Sequence, residues 1–296
     1  MSIDFLWQDL IWLVIGLAAS KAFFWTNTRL RRRRLRAFFG QDALGGAGIA
    51  VSVPVLRPLS GDNFDPQAEA TVALKSDDAG REVRRPIYGE VLHLADYQSA
   101  EQVFALLREQ GARNSTLVQD SEALGGWSER PCLVCVGSPF VNATFGELLR
   151  LDDDAGARIT GNRASDTLDT YRVEMRQPEN LSLGVEKDYA IGVIARLRNP
   201  AKQGDWVVGV WGDRAESTFE TARYFRTNFR SIAGFHARDV PLIVLLAIRG
   251  SRLNVAELMY AATDRVLMRN DELLRRYVRS GSVSERESEV QPEARG

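Results

Sequence analysis

Two short polar segments, each directly after an apolar run, hold the residues best suited to bind a small ligand. The first segment follows residues 132–136, and the second follows residues 206–210. The ligand-binding candidates in these segments are Gly137, Ser138, Asn142, Gly212, Ser217 and Thr218. Glycine lets the backbone approach a phosphate closely, and free N–H groups at the start of a following helix attract anions. The spacing therefore predicts a site for an anionic, nucleotide-like ligand.

The second segment also contains two carboxyl groups that could act in catalysis. Asp213 lies in the turn, and Glu220 lies on the helix predicted to follow it. A glutamate carboxylate can attack an anomeric carbon while a nearby aspartate holds the sugar or base, which would break an N-glycosidic bond. The competing interpretation, which helical periodicity favours, places Glu216, Glu220 and Arg223 on a solvated helix face. In the first segment, Asn142 could equally be a structural helix N-cap.

Strands and helices alternate in a pattern that would position these candidates. Strands are predicted at 49–56, 132–136, 189–197, 206–210 and 240–248, with amphipathic helices after several of them. Turns at the carboxyl ends of parallel strands share one crevice. We therefore predict an α/β domain of Rossmann-like type at residues 49–279, with a mostly parallel sheet covered by helices. Residues 60–85 and 152–162 are expected to be loops, residues 254–277 helical and residues 280–296 disordered.

The N-terminus is the other organising feature of the chain. Residues 5–25 are almost continuously apolar, about the 20 residues that cross roughly 30 Å of hydrocarbon as a helix. We predict a single-pass transmembrane anchor at residues 1–27, followed by a basic arm and hinge at residues 28–48. The small residues Gly16, Ala18, Ala19 and Ser20 would let two anchors approach closely, so a homo-oligomer through this helix is one expectation.

An arginine cluster closes the apolar run and sets its expected orientation. The cluster consists of Arg29, Arg31, Arg32, Arg33, Arg34 and Arg36. Positive residues favour the cytoplasmic side of a membrane helix, so the cluster predicts an outward N-terminus and a cytoplasmic domain at the inner membrane. The arginines would then contact anionic lipid headgroups. Two alternatives stay open: a buried core helix with a solvated basic turn, and an interfacial helix, which Lys21 would permit.

Composition argues against several other classes. The net charge is −1, so no basic field indicates a nucleic-acid partner. The chain has only Cys132, Cys135, His93 and His236 as thiol and imidazole ligands, and the cysteines lie within an apolar run. Structural zinc needs four such ligands together, so we predict no metal and no cofactor, and we interpret the cysteines as reduced core residues. The chain has no Walker segment and no Ser-His-Asp order.

The order of these features resembles a group of uncharacterised bacterial, membrane-anchored α/β proteins of Rossmann-like type. The resemblance rests on Val136-Gly-Ser-Pro-Phe-Val-Asn142, Asp188-Tyr-Ala-Ile191, Arg198-Asn-Pro200 and residues 212–222, and it covers about residues 49–260. Some members of that group are thought to act in nucleotide sensing or defence, so the resemblance implies a nucleotide-binding signalling domain. This chain has Gly137-Ser138 where two glycines are expected, and Ser217-Thr218 where Gly-Thr is expected.

A shorter stretch is similar to the nucleophile segment of nucleoside deoxyribosyltransferases. In residues 213–222 an aspartate precedes a small residue-threonine pair, and a glutamate follows that threonine by two positions. The similarity implies that Glu220 would be the nucleophile and that Asp213 would assist it.

Three function classes follow from these patterns. The favoured class is a single-pass, membrane-anchored sensor or effector whose cytoplasmic domain binds a nucleotide-like or other anionic small ligand. The second class is a membrane-anchored nucleoside N-glycosidic-bond hydrolase or transferase that uses Glu220. The third class is a non-catalytic membrane scaffold.

Overall fold

The structure is a computed structural model that describes most of the chain. The described residues are 3–45, 48–56, 71–76, 82–86, 91–92, 94–120, 132–138, 142–151, 160–163, 171–175, 181–184, 189–199, 205–235, 240–249 and 254–277. The helices are α1 (Ile3–Phe39), α2 (Leu94–Glu109), α3 (Ala143–Leu151), α4 (Ala215–Phe235) and α5 (Asp271–Tyr277), with a 3-10 helix at Gln41–Leu44. The first strands are β1 (Ile49–Val53), β2 (Val55–Leu56), β3 (Thr71–Ser76), β4 (Glu82–Pro86), β5 (Val91–Leu92), β6 (Ser115–Gln119) and β7 (Cys132–Val136). The others are β8 (Thr160–Arg163), β9 (Tyr171–Met175), β10 (Leu181–Gly184), β11 (Tyr189–Arg198), β12 (Trp206–Gly212), β13 (Leu242–Arg249), β14 (Val255–Ala262) and β15 (Val266–Arg269).

Eight strands form one mixed sheet in the order β15-β14-β13-β11-β12-β7-β1-β6. Its β6-β1-β7-β12 part is parallel. From β12 through β11, β13 and β14 to β15 the pairs are antiparallel. The α/β prediction is confirmed, but the predicted parallel arrangement applies to one half of the sheet. The connection between β11 and β12 is too short for a crossover helix, so these two strands pair antiparallel.

The central strands are covered on both faces, which accounts for their continuously apolar sequences. Every residue of β1, β7 and β12 is buried. Side chains alternate between the faces, so Ile191 and Val193 enter one core while Ala190 and Ile194 enter the other. The first core also contains residues of α3, α5 and β10. The second contains residues of α2, α4 and the end of α1.

The last turns of α1 belong to the second core. Leu35, Phe38 and Phe39 have no exposed surface. The rings of Phe38 and Phe39 lie 5.3 and 6.2 Å from the ring of Phe229 on α4. α1 is one unbroken helix to Phe39, so most of the segment predicted as a basic arm and hinge at 28–48 is helical. The helix continues because its apolar C-terminal residues have a core to enter.

The earlier part of α1 is apolar and open. All its large apolar side chains between residues 11 and 30 are exposed; Trp12 is 70% exposed and Phe24 is 74% exposed. Within the part of the chain that the structure describes, no helix combines the length and hydropathy needed to cross a membrane. The predicted transmembrane anchor is therefore not found.

Three other predicted segments differ from the structure. Residues 254–277 form the β14-β15 hairpin, and only α5 at their end is helical. The expected loop at 60–85 contains β3 and most of β4, and the expected loop at 152–162 contains the start of β8. The predicted disordered tail, 280–296, lies outside the described residues. Ala, Leu, Glu and Met in β14 favour helix locally, but pairing with β13 determines their conformation.

Candidate functional site

The two predicted ligand-binding turns lie side by side at one edge of the sheet. β7 and β12 are parallel neighbours, and their carboxyl ends lead into Gly137 and Gly212. The Gly137 N–H donates to the Val210 carbonyl (3.1 Å), which joins the first turn to β12. Gly137 has a φ of 92°, which L side chains rarely adopt. We call the region formed by Gly137, Ser138, Asn142 and residues 212–218 the carboxyl edge.

Asn142 is completely buried and acts as a structural tie. Its Oδ1 accepts the Phe145 N–H (3.0 Å), which caps the N-terminus of α3. Its Nδ2 lies 2.9 Å from the Val136 carbonyl and 3.3 Å from the carbonyl and hydroxyl oxygens of Ser52. The amide therefore joins α3 to β7 and β1, and it is engaged within the protein. Ser138 is half-buried, and its hydroxyl has no partner among the described residues.

We expect Asn142→Ala to lower the free energy of unfolding by about 2–4 kcal/mol, because it removes an N-cap and leaves buried carbonyls without their donor. Chemical denaturation of the full chain in detergent micelles measures the loss. Asn142→Ser is the matched control, since serine keeps the N-cap oxygen but is too short to reach Val136. It should recover about 1 kcal/mol. A loss below about 0.5 kcal/mol in the alanine variant would contradict the structural role.

The turn after β12 is closed by its own side chains. A Cβ on Gly212 would overlap Ser217, so only glycine lets the first turn of α4 pack this closely. The Gly212 N–H donates to Thr218 Oγ1 (3.0 Å), and the Arg214 N–H donates to Ser217 Oγ (2.8 Å). Both hydroxyls thus satisfy backbone donors near the start of α4.

Asp213 is the buried titratable group of this edge, with a side chain only 2% exposed. Its Oδ1 accepts hydrogen bonds from the Ile191 N–H (3.1 Å) and the Ser217 hydroxyl (2.8 Å). The Arg214 guanidinium lies 3.6 Å from its other oxygen. Burial raises the pKa of Asp213 to about 6, although these three groups each favour the ionised form. Asp213 can therefore exchange a proton at mildly acidic pH.

Glu220 is buried rather than solvated, in contrast to its neighbours on α4. Glu216 and Arg223 are exposed as the helical periodicity predicts, whereas Glu220 is 6% exposed. Arg223 Nη2 lies 2.7 Å from Glu220 Oε2, and it also donates to the Asn254 carbonyl (2.8 Å). Burial raises the pKa of Glu220, and Arg223 opposes that rise. This geometry makes Glu220 a paired carboxylate between α4 and the start of β14.

The cysteines lie in the core. Burial raises the pKa of the Cys135 thiol, and Cys132 donates to the Phe39 carbonyl (3.2 Å). Among the described residues, no group of three or more His, Cys, Asp or Glu side chains is placed to hold a metal ion.

A second candidate site lies where α1 meets the domain. A cleft of about 620 Å³, which we call the arginine groove, opens between one face of α1 and the sheet. Its principal lining residues are Trp25, Arg29, Arg32, Arg33, Arg36 and Trp206. The lining residues that belong to α1 are three or four positions apart, so they form one stripe along the helix. Arg31 and Arg34 instead line a second cleft, against the end of α2.

Arg196 fixes α1 to the domain, and the sequence analysis did not identify it. It lies on β11 and is 1% exposed. Its guanidinium donates to the carbonyls of Phe38 (2.6 Å), Val240 (2.7 Å) and Ala37 (3.3 Å). It also stacks over the Trp206 ring, 3.3 Å from the ring centroid. A cation at the C-terminus of a helix complements the helix dipole. The feature of the sequence that could have identified Arg196 is its position as a charged residue within the apolar run at 189–197.

The fold and these sites define an α/β protein with a mixed sheet and a helix that is clamped at one end. No family model, curated protein or solved structure matches the chain.

Proposed function

We propose that this protein is a membrane-attached α/β domain and that α1 is both its anchor and a structural part of its core. The observation that carries the proposal is the division of α1 into an exposed apolar length and a buried, clamped end. In this proposal the domain acts as a sensor or effector on the cytoplasmic side of the inner membrane. The arginines of α1 lie between the apolar length and the domain, as the positive-inside rule requires.

The exposed apolar surface of α1 surrounds the helix. Trp12, Leu13, Val14 and Ile15 are consecutive, so their side chains point in directions about 100° apart. Each of the four is about half exposed or more. A partner helix or groove would cover one side of such a helix, whereas lipid can cover all sides. Large exposed apolar surfaces mark interaction sites, and this distribution favours the hydrocarbon of a bilayer.

The clamped end makes the anchor a rigid connection. Arg196 holds the last carbonyls of α1, and Phe38 packs against Phe225 and Phe229 of α4. A tilt or rotation of α1 would therefore move α4 and the sheet together with it. A signal could pass in either direction between the membrane and the carboxyl edge, because α4 begins at that edge.

A sensor also needs a ligand site on its domain. An anionic, nucleotide-like ligand at the carboxyl edge is supported by the adjacent turns and by the hydroxyl of Ser138. Asn142, Ser217 and Thr218 already satisfy backbone groups, so they would contribute shape rather than free donors. The glycosidase alternative gains nothing from this geometry, because Glu220 is paired with Arg223 and is almost inaccessible. A non-catalytic scaffold would use the same anchor.

Flotation of the full chain with phosphatidylcholine vesicles tests the proposal, since uncharged lipid removes the attraction of the arginines. The variant Leu13→Asp/Leu17→Asp should lose vesicle binding by about tenfold or more, because aspartate in the centre of a membrane helix costs about 3 kcal/mol. The control is Leu94→Asp/Leu117→Asp, which places the same substitutions on exposed leucines of the domain. It should float like the original chain.

The outcomes separate the candidates. Failure of the original chain to float, or equal flotation of the Leu13 and Leu17 variant, would reject membrane attachment through α1. When the chain does float, a sodium carbonate wash distinguishes two modes of attachment. Retention after the wash indicates a membrane-spanning helix, and release indicates a helix that lies in the interface.

A further inference from the structure

The arginine groove has a concentration of unpaired positive charge. Arg29, Arg32, Arg33 and Arg36 line it from α1, and among the described residues no carboxylate lies within ion-pair distance of them. The Arg29 guanidinium lies 5.2 Å from the centroid of the Trp25 ring. Four guanidinium groups around one cleft repel one another, so an anion that enters the cleft relieves that repulsion.

The cleft on the opposite side of α1 differs in charge. Its charged lining residues are Arg31 and Arg34 of α1, Arg230 of α4 and Glu109 of α2. Arg31 donates to the Glu109 carbonyl (3.1 Å), and Arg226 pairs with the Glu109 carboxylate. Arg31 therefore joins α1 to the end of α2, whereas burial and the neighbouring Arg230 lower the pKa of Arg34. Both clefts are lined by arginines of α1. Of the two, only the second cleft also has a carboxylate among its lining residues.

The position of the groove on α1 indicates what kind of anion it would hold. The groove begins at Trp25, where the exposed apolar length of the helix ends. Val14, Leu17 and Ala18 precede Trp25 by eleven, eight and seven residues, so they lie on the same side of the helix. Lys21, four residues before Trp25, lies on this side as well, so an apolar track followed by one lysine leads into the cationic cleft. This combination fits an amphiphile with a phosphate at its end.

We infer that the arginine groove binds the phosphate headgroup of one anionic phospholipid, whose acyl chains lie along the apolar length of α1. The volume of about 620 Å³ lies in the range of roughly 300–1,000 Å³ that is usual for ligand clefts. Arginine donates paired N–H groups to phosphate, and Trp25 and Trp206 provide the amphipathic walls. This inference rests on the proposed membrane attachment, and it adds a specific lipid site on one face of the helix.

The test compares lipid retained by the purified full chain. The chain is reconstituted in vesicles of equal phosphatidylglycerol and phosphatidylcholine, extracted in mild detergent, and the bound phospholipid is measured by mass spectrometry. We expect about fivefold or greater enrichment of phosphatidylglycerol, since one arginine near an anionic lipid surface contributes about that factor. Arg29→Gln/Arg33→Gln should abolish the enrichment. Arg31→Gln/Arg34→Gln removes the same charge from the opposite cleft and should retain it.

Each outcome decides the inference. Equal loss in both variants would show that net charge, and not the groove, attracts the lipid. Flotation of the chain without enrichment would overturn the lipid site while membrane attachment stands, whereas absence of flotation would reject both. In a further experiment, inorganic phosphate is added to the reconstituted chain at the same concentration as the lipid. Displacement of phosphatidylglycerol by phosphate would assign the groove to a free anion instead of a lipid.

Discussion

Replacing Arg196 with methionine should lower the free energy of unfolding by about 3–5 kcal/mol, the usual cost of removing one partner from a buried charged network. Methionine fills much of the same volume, so the loss comes from the carbonyls of Ala37, Phe38 and Val240, which would be left without this donor. Urea denaturation of the full chain in detergent micelles, followed by far-ultraviolet circular dichroism, measures the change.

Arg196→Lys separates the charge from the geometry. Lysine keeps a cation over Trp206, but one ammonium group cannot donate in the planar pattern by which arginine reaches three carbonyls. We expect an intermediate loss for lysine. A matched substitution at an exposed arginine of the domain, Arg113→Met, should change stability by less than about 0.5 kcal/mol. Similar stability of the Arg196 and Arg113 methionine variants would refute the clamp.

The buried strands of the parallel half were predictable because their apolar runs are continuous. β1, β7 and β12 lie where the sequence places them, and each is buried on both faces. The adjacency of the two turns also follows from parallel pairing. The local sequence pattern does not indicate which strands pair with each other. The antiparallel half depends on the few residues that separate β11 from β12 in the sequence and on a hairpin between β14 and β15.

The roles of the site residues depend on tertiary contacts that spacing does not reveal. Asn142 fits both an N-cap and a ligand donor in the sequence, and only its distances to Ser52 and Val136 show how its amide is used. Glu220 is another example, because helical periodicity places it on a solvated face, whereas in the structure it is buried and paired with Arg223, which also donates to the Asn254 carbonyl. Arg196 escaped prediction because the helix end that it caps is distant in sequence.

Asp213→Asn should change how stability depends on pH more than any other substitution at the carboxyl edge. Asp213 has a pKa of about 6 in the folded protein and an ordinary value of 3.8, so the folded state holds its proton more tightly than the unfolded state. The protonated carboxyl therefore favours the folded state. Its contribution to the free energy of unfolding is largest below about pH 4 and falls as pH rises towards 6. The difference corresponds to about 3 kcal/mol lost by neutral pH.

Asparagine keeps the shape and the oxygen that accepts from Ile191 and Ser217, but it cannot ionise. It gives up the interaction with Arg214, so we expect a net gain of about 1–2 kcal/mol at pH 7.5 and little gain at pH 4. Urea denaturation at pH 4, 5, 6 and 7.5 measures both proteins. Burial also raises the pKa of Glu220, but that contribution is common to both and cancels in their difference.

Asp264→Asn is the control for this experiment, since Asp264 is an exposed aspartate in the turn between β14 and β15. As a substitution on the surface, it should change the free energy of unfolding by less than about 0.5 kcal/mol. A stability difference between the Asp213→Asn variant and the original chain that stays constant from pH 4 to 7.5 would show that Asp213 does not titrate in this range. The expected slope, by contrast, would mean that the fold holds a destabilising carboxylate at neutral pH. Ionisable groups of that kind concentrate at functional sites, which would make Asp213 the first residue to test for ligand binding at the carboxyl edge.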